Sequence, residues 1–85
     1  MFTIFFHPSE DEIMDKLPEK YRVPFLNTVE KLRSDPIRCS KALKGPWKGY
    51  HSARYGKRRI VFRLDLTSCS VTICSEDRRG KIYGR

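Results

Sequence analysis

The sequence predicts an α+β domain in which a curved antiparallel sheet packs against two N-terminal helices, in the order β-α-α-β-β-β. Three observations predict this class. A short apolar segment lies at residues 2–7, apolar residues recur at helical spacing up to residue 34, and segments of alternating polarity fill residues 50–75. With 85 residues there is material for one thin hydrophobic core, so residues 1–85 are predicted to form a single domain.

Two helices are predicted before residue 35. Ser9 precedes three acidic residues, which is typical of a helix N-cap, and Pro18 ends the first helix near residue 17. The second helix is predicted over residues 19–34, with a buried stripe made of Tyr21, Phe25, Val29 and Leu32. Pro24 has no amide hydrogen, and it leaves two alternatives open: the regular helix begins near Val23, or it is kinked there.

Three strands are predicted after a loop at residues 36–48. They cover residues 50–55, 58–66 and 69–75, and the first two are joined by a tight turn at Gly56-Lys57. Alternation directs Ile60, Phe62, Leu64, Val71 and Ile73 toward the helices. Arg54 and Arg59 are therefore expected on the opposite, open face of the sheet.

Positive charge is concentrated in the second half of the chain. Residues 1–35 carry five basic and seven acidic side chains, a net charge of −2, whereas residues 36–85 carry thirteen basic and three acidic side chains, a net charge of +10. A segregated positive surface of this kind predicts a partner rich in phosphates or an acidic protein.

Several functional classes are disfavoured by the sequence. There is no apolar run long enough to span a membrane and no signal peptide, so we expect a cytoplasmic protein. The three cysteines lack metal-site spacing and fit a reducing compartment, with Cys69 and Cys74 on opposite faces of one strand. No Gly-rich phosphate loop, HExxH, CxxC pair or paired carboxylates are present, so neither a metal nor another cofactor is predicted.

The remaining titratable residues are assigned mainly structural roles. His51 shares the core-side parity of Ala53 and is predicted to be a structural histidine. The carboxylates Asp65, Glu76 and Asp77 lie among arginines and are predicted to form ion pairs with them. What remains for chemistry is a set of cations and one phenol in the last three strands and the tail: Arg54, Arg59, Arg78, Arg79, Lys81 and Tyr83.

Such a set suits metal-independent cleavage of RNA. In that reaction the 2′-hydroxyl attacks the adjacent phosphorus, and guanidinium groups stabilise the charge that develops on the phosphoryl oxygens. Arginine is a poor proton carrier because its pKa is above about 12, so the protein alone is expected to be a slow nuclease. Another body would have to hold the RNA in line for attack.

Three motifs resemble the RelE/ParE toxin superfamily. They are Leu43-Lys44-Gly45, the segment Arg54 to Phe62 (RYGKRRIVF), and Arg79-Gly80-Lys81-Ile82-Tyr83. The family pattern is Leu-x-Gly, then Arg-x-Gly-x-x-Arg followed by two apolar residues and an aromatic one, then Arg-x-x-x-Tyr. The resemblance covers nearly the whole chain and implies the toxin of a type II toxin–antitoxin pair, a ribosome-dependent endoribonuclease that acts on mRNA in the ribosomal A site.

The resemblance also implies roles for individual residues. Arg59, Arg79 and Tyr83 correspond to the catalytic positions, with Arg59 at the scissile phosphate. The implied RNA contacts are Lys48, Arg54, Lys57, Arg78 and Lys81. Ser52 departs from the pattern, because the family often has a basic residue there, and Asp77-Arg78 replaces the common Gly-His or Gly-Lys.

Two other functions remain open at this point. A ParE-like protein would share the fold but poison DNA gyrase, and a non-catalytic RNA- or ribosome-binding module would need only the basic face. The Arg79-x-x-x-Tyr83 motif favours the nuclease over the gyrase poison. In either toxin class the resemblance implies a cognate antitoxin, expected to cover the basic face or to pack on the exterior of the helices with an acidic or amphipathic segment.

Overall fold

The computed structural model describes the backbone of residues 1–78 and the side chains of residues 1–76. Within that range the chain forms two α-helices and five strands. In chain order they are β1 (Thr3–Phe6), α1 (Glu10–Asp15), α2 (Arg22–Ser34), β2 (Lys41–Ala42), β3 (Tyr50–Tyr55), β4 (Arg58–Asp65) and β5 (Ser70–Arg78), with 3-10 turns at Glu19–Tyr21 and Gly45–Trp47.

The α+β class is confirmed, but the sheet is mixed rather than antiparallel throughout. Its strand order is β1-β5-β4-β3-β2, and β1 runs parallel to β5 while the other neighbours are antiparallel. Two hairpin connections fix the direction of β5, and β1 adds to its open edge because Ile4 and Phe6 align with Val71 and Ile73 on the core side. The two-residue strand β2 lies inside the predicted loop.

The helices begin where local chemistry places them. Ser9 caps α1 by accepting a hydrogen bond from the Glu12 amide at 3.2 Å, as predicted. Pro24 is the third residue of α2, where an amide hydrogen has no partner within the helix, so the regular helix begins just before it. Of the two alternatives for Pro24, the structure supports a regular helix that begins near Val23, at Arg22.

One hydrophobic core lies between the helices and the inner face of the sheet. The predicted stripe of α2 faces it, since Phe25 and Leu32 are fully buried and Val29 is nearly so. Tyr21 packs at its margin. The sheet contributes the predicted residues Ile60, Phe62, Val71 and Ile73, each fully buried, and Leu64, which is partly buried.

The β4–β5 connection differs from the prediction in two respects. Asp65 accepts hydrogen bonds from the amides of Thr67 and Ser68 instead of pairing with an arginine, and these bonds lower its pKa. Cys69 precedes β5 instead of lying on it, with φ of 51°. The carboxylate of Asp65 thus stabilises the turn, because the amides two and three residues further along the chain lie within hydrogen-bonding distance of it.

A β-bulge shapes the end of β5. Val61 aligns with Ser75 and Phe62 with Ile73, so Cys74 is the extra residue on β5. The inserted residue reverses the alternation beyond it, and Glu76 therefore aligns with the core-side residue Ile60. The strand also continues to Arg78, beyond the predicted end at residue 75.

Candidate functional site on the outer face of the sheet

The predicted open face exists on β3 and β4, and we call it the outer face. Three cross-strand pairs compose it: Arg54 with Arg59, Ser52 with Val61, and Tyr50 with Arg63. Because side chains alternate along a strand, these six point away from the helices that cover Ala53, Ile60 and Phe62. The outer face therefore carries a cation pair at one end and a cation beside an aromatic ring at the other.

Arg54 and Arg59 lie directly opposite each other. Arg54 is exposed and Arg59 is half-buried. Residues in register on an antiparallel pair have Cβ atoms about 4.5–5.5 Å apart, a position where like charges destabilise the sheet. On its other side Arg59 is the backbone partner of Asp77, whose side chain is outside the described part. Two guanidinium groups in register can hold an anion between them, so this pair is a candidate phosphate-binding position on the outer face.

The centre of the outer face is closed and uncharged. Val61 is fully buried and Ser52 is only 8% exposed, although both have the parity of the arginines. We call Val61 and Ser52 the closed floor. It separates the Arg54–Arg59 pair from Arg63, which lies about 13 Å away, four residues along β4.

The other end of the outer face combines aromatic rings with a cation. The Arg63 guanidinium lies over the Tyr50 ring, 5.9 Å from its centroid. Trp47 meets the same ring edge-on, with centroids 5.7 Å apart and an interplanar angle of 83°. No function was predicted from the sequence for these three residues, although the register of Tyr50 with Arg63 follows from the hairpin turn.

A buried polar cluster supports the hairpin from the inner face. Arg58 and Glu76 form a two-contact ion pair, with Nε to Oε2 at 2.6 Å and Nη2 to Oε1 at 2.9 Å. The Tyr55 hydroxyl donates to the same carboxylate, and the Tyr21 ring lies 5.1 Å below the Arg58 guanidinium. The predicted ion pair of Glu76 is confirmed, with Arg58 as its partner.

The cluster fixes the protonation of its members. Burial, followed by the hydrogen bond to Glu76, raises the pKa of Tyr55 well above its usual range, so this phenol stays neutral. The hydrogen bond to Glu76 likewise raises the pKa of Arg58, which stays charged. Neither group is therefore suited to carry a proton during a reaction at neutral pH.

Two toxins of Mycobacterium tuberculosis are similar in sequence to most of this chain. Toxin RelG of Mycobacterium tuberculosis is 29% identical over 85 residues, covering 99% of this chain and 98% of RelG. Toxin RelE of the same organism is 34% identical over 71 residues, covering 82% of this chain and 73% of that toxin. The chain belongs to the RelE toxin family.

The structural comparison agrees with this RelE assignment. The toxin–antitoxin complex RelBE2 of M. tuberculosis contains a chain with a TM-score of 0.83 and 28% identity, and the match covers 92% of the present chain and 98% of that one. No protein-family profile matches the chain. The resemblance drawn from the three motifs is therefore confirmed by whole-chain relatives.

The sequence-predicted site residues of this RelE-family chain fall into three groups. Arg54 and Arg59 are brought together, whereas the exposed Lys57 and Lys48 lie near opposite ends of β3, roughly 20 Å apart. Arg78 is the backbone partner of Arg58 on β5, and its side chain is outside the described part. Arg79, Lys81 and Tyr83 lie outside the described residues.

His51 has the predicted structural role. Its ring stacks on Phe62 with centroids 5.5 Å apart, and its Nδ1 lies 3.4 Å from the Ser40 hydroxyl. Burial lowers the pKa of His51. Since it is on the core side, it does not reach the phosphate-binding position of the outer face.

The outer face of β3 and β4 is poor in proton carriers. The six outer-face residues named above include neither histidine nor carboxylate. Among the described residues no group of three His, Cys, Asp or Glu side chains could hold a metal ion, and none of the helices there combines the length and apolar character needed to cross a membrane. The outer face offers positive charge and an aromatic ring instead.

Proposed function

We propose that this RelE-family protein is a toxin that cleaves mRNA on the ribosome by metal-independent attack of the 2′-hydroxyl. The observation that carries the proposal is the Arg54–Arg59 pair, two guanidinium groups in register on an open face. A pair of like charges held opposite each other favours an anionic ligand, and a phosphodiester fits the fork of each guanidinium.

In the proposed reaction the 2′-oxygen forms a bond to phosphorus and the bond to the 5′-oxygen breaks. Negative charge grows on the phosphoryl oxygens in the transition state, where Arg59 stabilises it and Arg54 holds the adjoining backbone. The cluster beneath the hairpin joins β4 to β5 at this end and so holds the backbone that carries Arg59. The arginines lower the free energy of the transition state through their charge, and this requires no proton transfer by arginine.

Two proton movements complete the reaction. The 2′-hydroxyl must lose a proton, and the departing 5′-oxygen must gain one. The outer-face residues named above include no histidine or carboxylate for either step, and their one phenol, Tyr50, lies about 13 Å along the strands from Arg59. We therefore assign this task to Tyr83 with Arg79, assisted by the ribosome, which orients the mRNA. We therefore propose slow cleavage of free RNA, efficient cleavage of A-site mRNA, and action in the cytoplasm, where ribosomes are found.

We further propose a cognate antitoxin as a protein partner. The related RelBE2 toxin of M. tuberculosis is found in a complex with its antitoxin. The described part of this chain offers two complementary surfaces, the basic outer face and the exterior of α2, where Val23 and Leu26 are exposed one turn apart. An acidic helical segment of the antitoxin would neutralise the basic outer face, and an amphipathic one would cover the exterior of α2. A complex formed through the basic outer face would weaken as the salt concentration is raised.

The decisive experiment maps 5′ ends on a defined mRNA incubated with the purified protein, with and without translating ribosomes. Cuts inside codons that appear only with ribosomes would support the proposal. The matched variants are Arg59→Ala, at the proposed phosphate position, and Arg22→Ala, an exposed arginine at the start of α2 on the helix side of the sheet. Arg59→Ala should abolish most cuts, and Arg22→Ala should leave them.

Other outcomes would redirect the assignment. Growth arrest with intact mRNA would favour a gyrase poison, which supercoiling assays would then detect. Ribosome binding without cleavage, insensitive to Tyr83→Phe but weakened by Arg59→Ala, would favour a non-catalytic binding module.

A further inference from the structure

Tyr50 lies on the outer face and is not among the residues of the hydrophobic core. It lies in register with Arg63, four residues along β4 from Arg59, and its ring is half-buried with the Arg63 guanidinium over it. Trp47 supports the ring from the side, at the end of the 3-10 turn. The next residue, Lys48, is exposed.

This combination matches the chemistry of single-stranded RNA recognition. Aromatic rings stack on nucleobases without regard to sequence, and a guanidinium adds both a stacking plane and a charge for the neighbouring phosphate. The edge-on contact with Trp47 limits the Tyr50 ring to one orientation before RNA arrives, which lowers the entropy lost on binding.

We propose that Tyr50, supported by Trp47 and Arg63, forms a nucleobase-stacking subsite for single-stranded RNA. The subsite rests on the proposed function and adds to it a second binding position. It lies about 13 Å from the Arg54–Arg59 pair, across the closed floor of Val61 and Ser52, so it holds a base that flanks the scissile phosphate. A flanking base held there keeps the strand extended along the face.

The chain contains a single tryptophan, and it lies within the subsite, which gives a direct signal. We would titrate the protein with a six-nucleotide adenylate RNA and follow both Trp47 fluorescence and the anisotropy of a labelled oligomer. An oligomer of the same length with abasic riboses keeps the phosphates and lacks the bases. The intact RNA should quench Trp47 on binding, and the abasic oligomer should bind more weakly and quench little.

Three variants separate stacking from folding. Tyr50→Leu keeps an apolar side chain on the strand but removes the π-face, and we expect its dissociation constant for the intact RNA to rise roughly tenfold or more. Tyr50→Phe keeps the ring and should bind within about twofold of the parent. Val23→Ala is the control, an apolar residue 67% exposed on the exterior of α2, behind the sheet, and should bind as the parent does.

The stacking proposal can fail without the proposed function. If Tyr50→Leu melts at the parent temperature and binds intact RNA as tightly as the parent, the subsite does not exist, whether or not ribosomal cleavage is observed. An equal loss of affinity for the abasic oligomer would also overturn it, since Tyr50 would then be acting through fold or charge. Conversely, stacking by a protein that never cuts mRNA would uphold the subsite and reject the nuclease.

Discussion

Arg58 and Arg59 are adjacent in sequence and face opposite sides of β4. Arg58 points inward and is held by Glu76 and by the Tyr21 ring, whereas Arg59 lies on the outer face in register with Arg54. Because successive side chains of a strand point to opposite faces, Arg58 is a candidate for a structural role and Arg59 for a functional one. Substitutions at the two positions should accordingly affect different measurements.

Arg59→Ala should reduce ribosome-dependent cleavage by about 100-fold or more, the usual effect of removing one group that stabilises transition-state charge. The free energy of unfolding should change by less than about 1 kcal/mol, because the opposing charge of Arg54 is relieved as contacts are lost. Single-turnover cleavage and urea unfolding measure the two quantities. A loss of activity that merely follows a loss of folded protein would contradict the assignment.

Glu76→Ala should lower the free energy of unfolding by about 3–5 kcal/mol, because it leaves the buried Arg58 guanidinium without its carboxylate. The double variant Arg58→Met with Glu76→Gln removes the charge and keeps an acceptor for the Tyr55 hydroxyl, and it should recover at least half of that loss. Urea unfolding of the parent and both variants provides the comparison. If Glu76→Ala proved neutral, the pair would not be buried as the structure has it.

The free energy of unfolding should fall as the pH drops below about 6.5, the ordinary pKa of histidine, because of His51. Burial lowers its pKa in the folded state, so the unfolded chain binds this proton first and is favoured as the pH falls. The contribution of His51 to the free energy of unfolding is fully present above the pKa of this residue in the unfolded chain. His51→Gln should flatten the unfolding free energy in that interval, and His7→Gln, at an exposed histidine, is the matched control. Equal slopes for the parent and His51→Gln would rule out this source.

Cys69→Gly should raise the free energy of unfolding by about 1 kcal/mol. Cys69 has φ of 51°, a left-handed conformation that costs a residue with a Cβ roughly 1–2 kcal/mol and costs glycine little. Part of the gain is offset by the greater freedom of glycine in the unfolded chain. Cys74→Ala, in the bulge of the following strand, serves as a comparison, and thermal unfolding in reducing buffer would reveal whether only the first change stabilises.

Much of the site follows from one local feature of the sequence. Gly56 has φ of 59° and occupies the first central position of a two-residue turn, which suits a type II′ hairpin. Such a turn fixes the register of β3 on β4, and the alternation then places Arg54 opposite Arg59. The predicted functional pair therefore depended on residues only a few positions apart.

Other features could not be obtained from local pattern. The bulge that turns Glu76 toward Arg58 depends on how β5 fits β4 over its whole length, and a single inserted residue reverses every side chain beyond it. The aromatic end of the outer face was available from the same register, yet Trp47 lies in a loop whose path no periodic pattern describes. Its contact with Tyr50 became visible only in three dimensions.

By itself, the sequence determined the α+β class, the start of α1, the core stripe of α2 and the facing arginines, because each depends on caps, turns and periodicities that act over a few residues. Tertiary structure alone decided that β1 joins β5 in parallel, that Val61 forms a closed floor between two charged positions, and that Glu76 belongs to the interior. Those outcomes depend on apolar surfaces and buried charges that meet across the fold, and their free energies depend on neighbours that are distant in the chain.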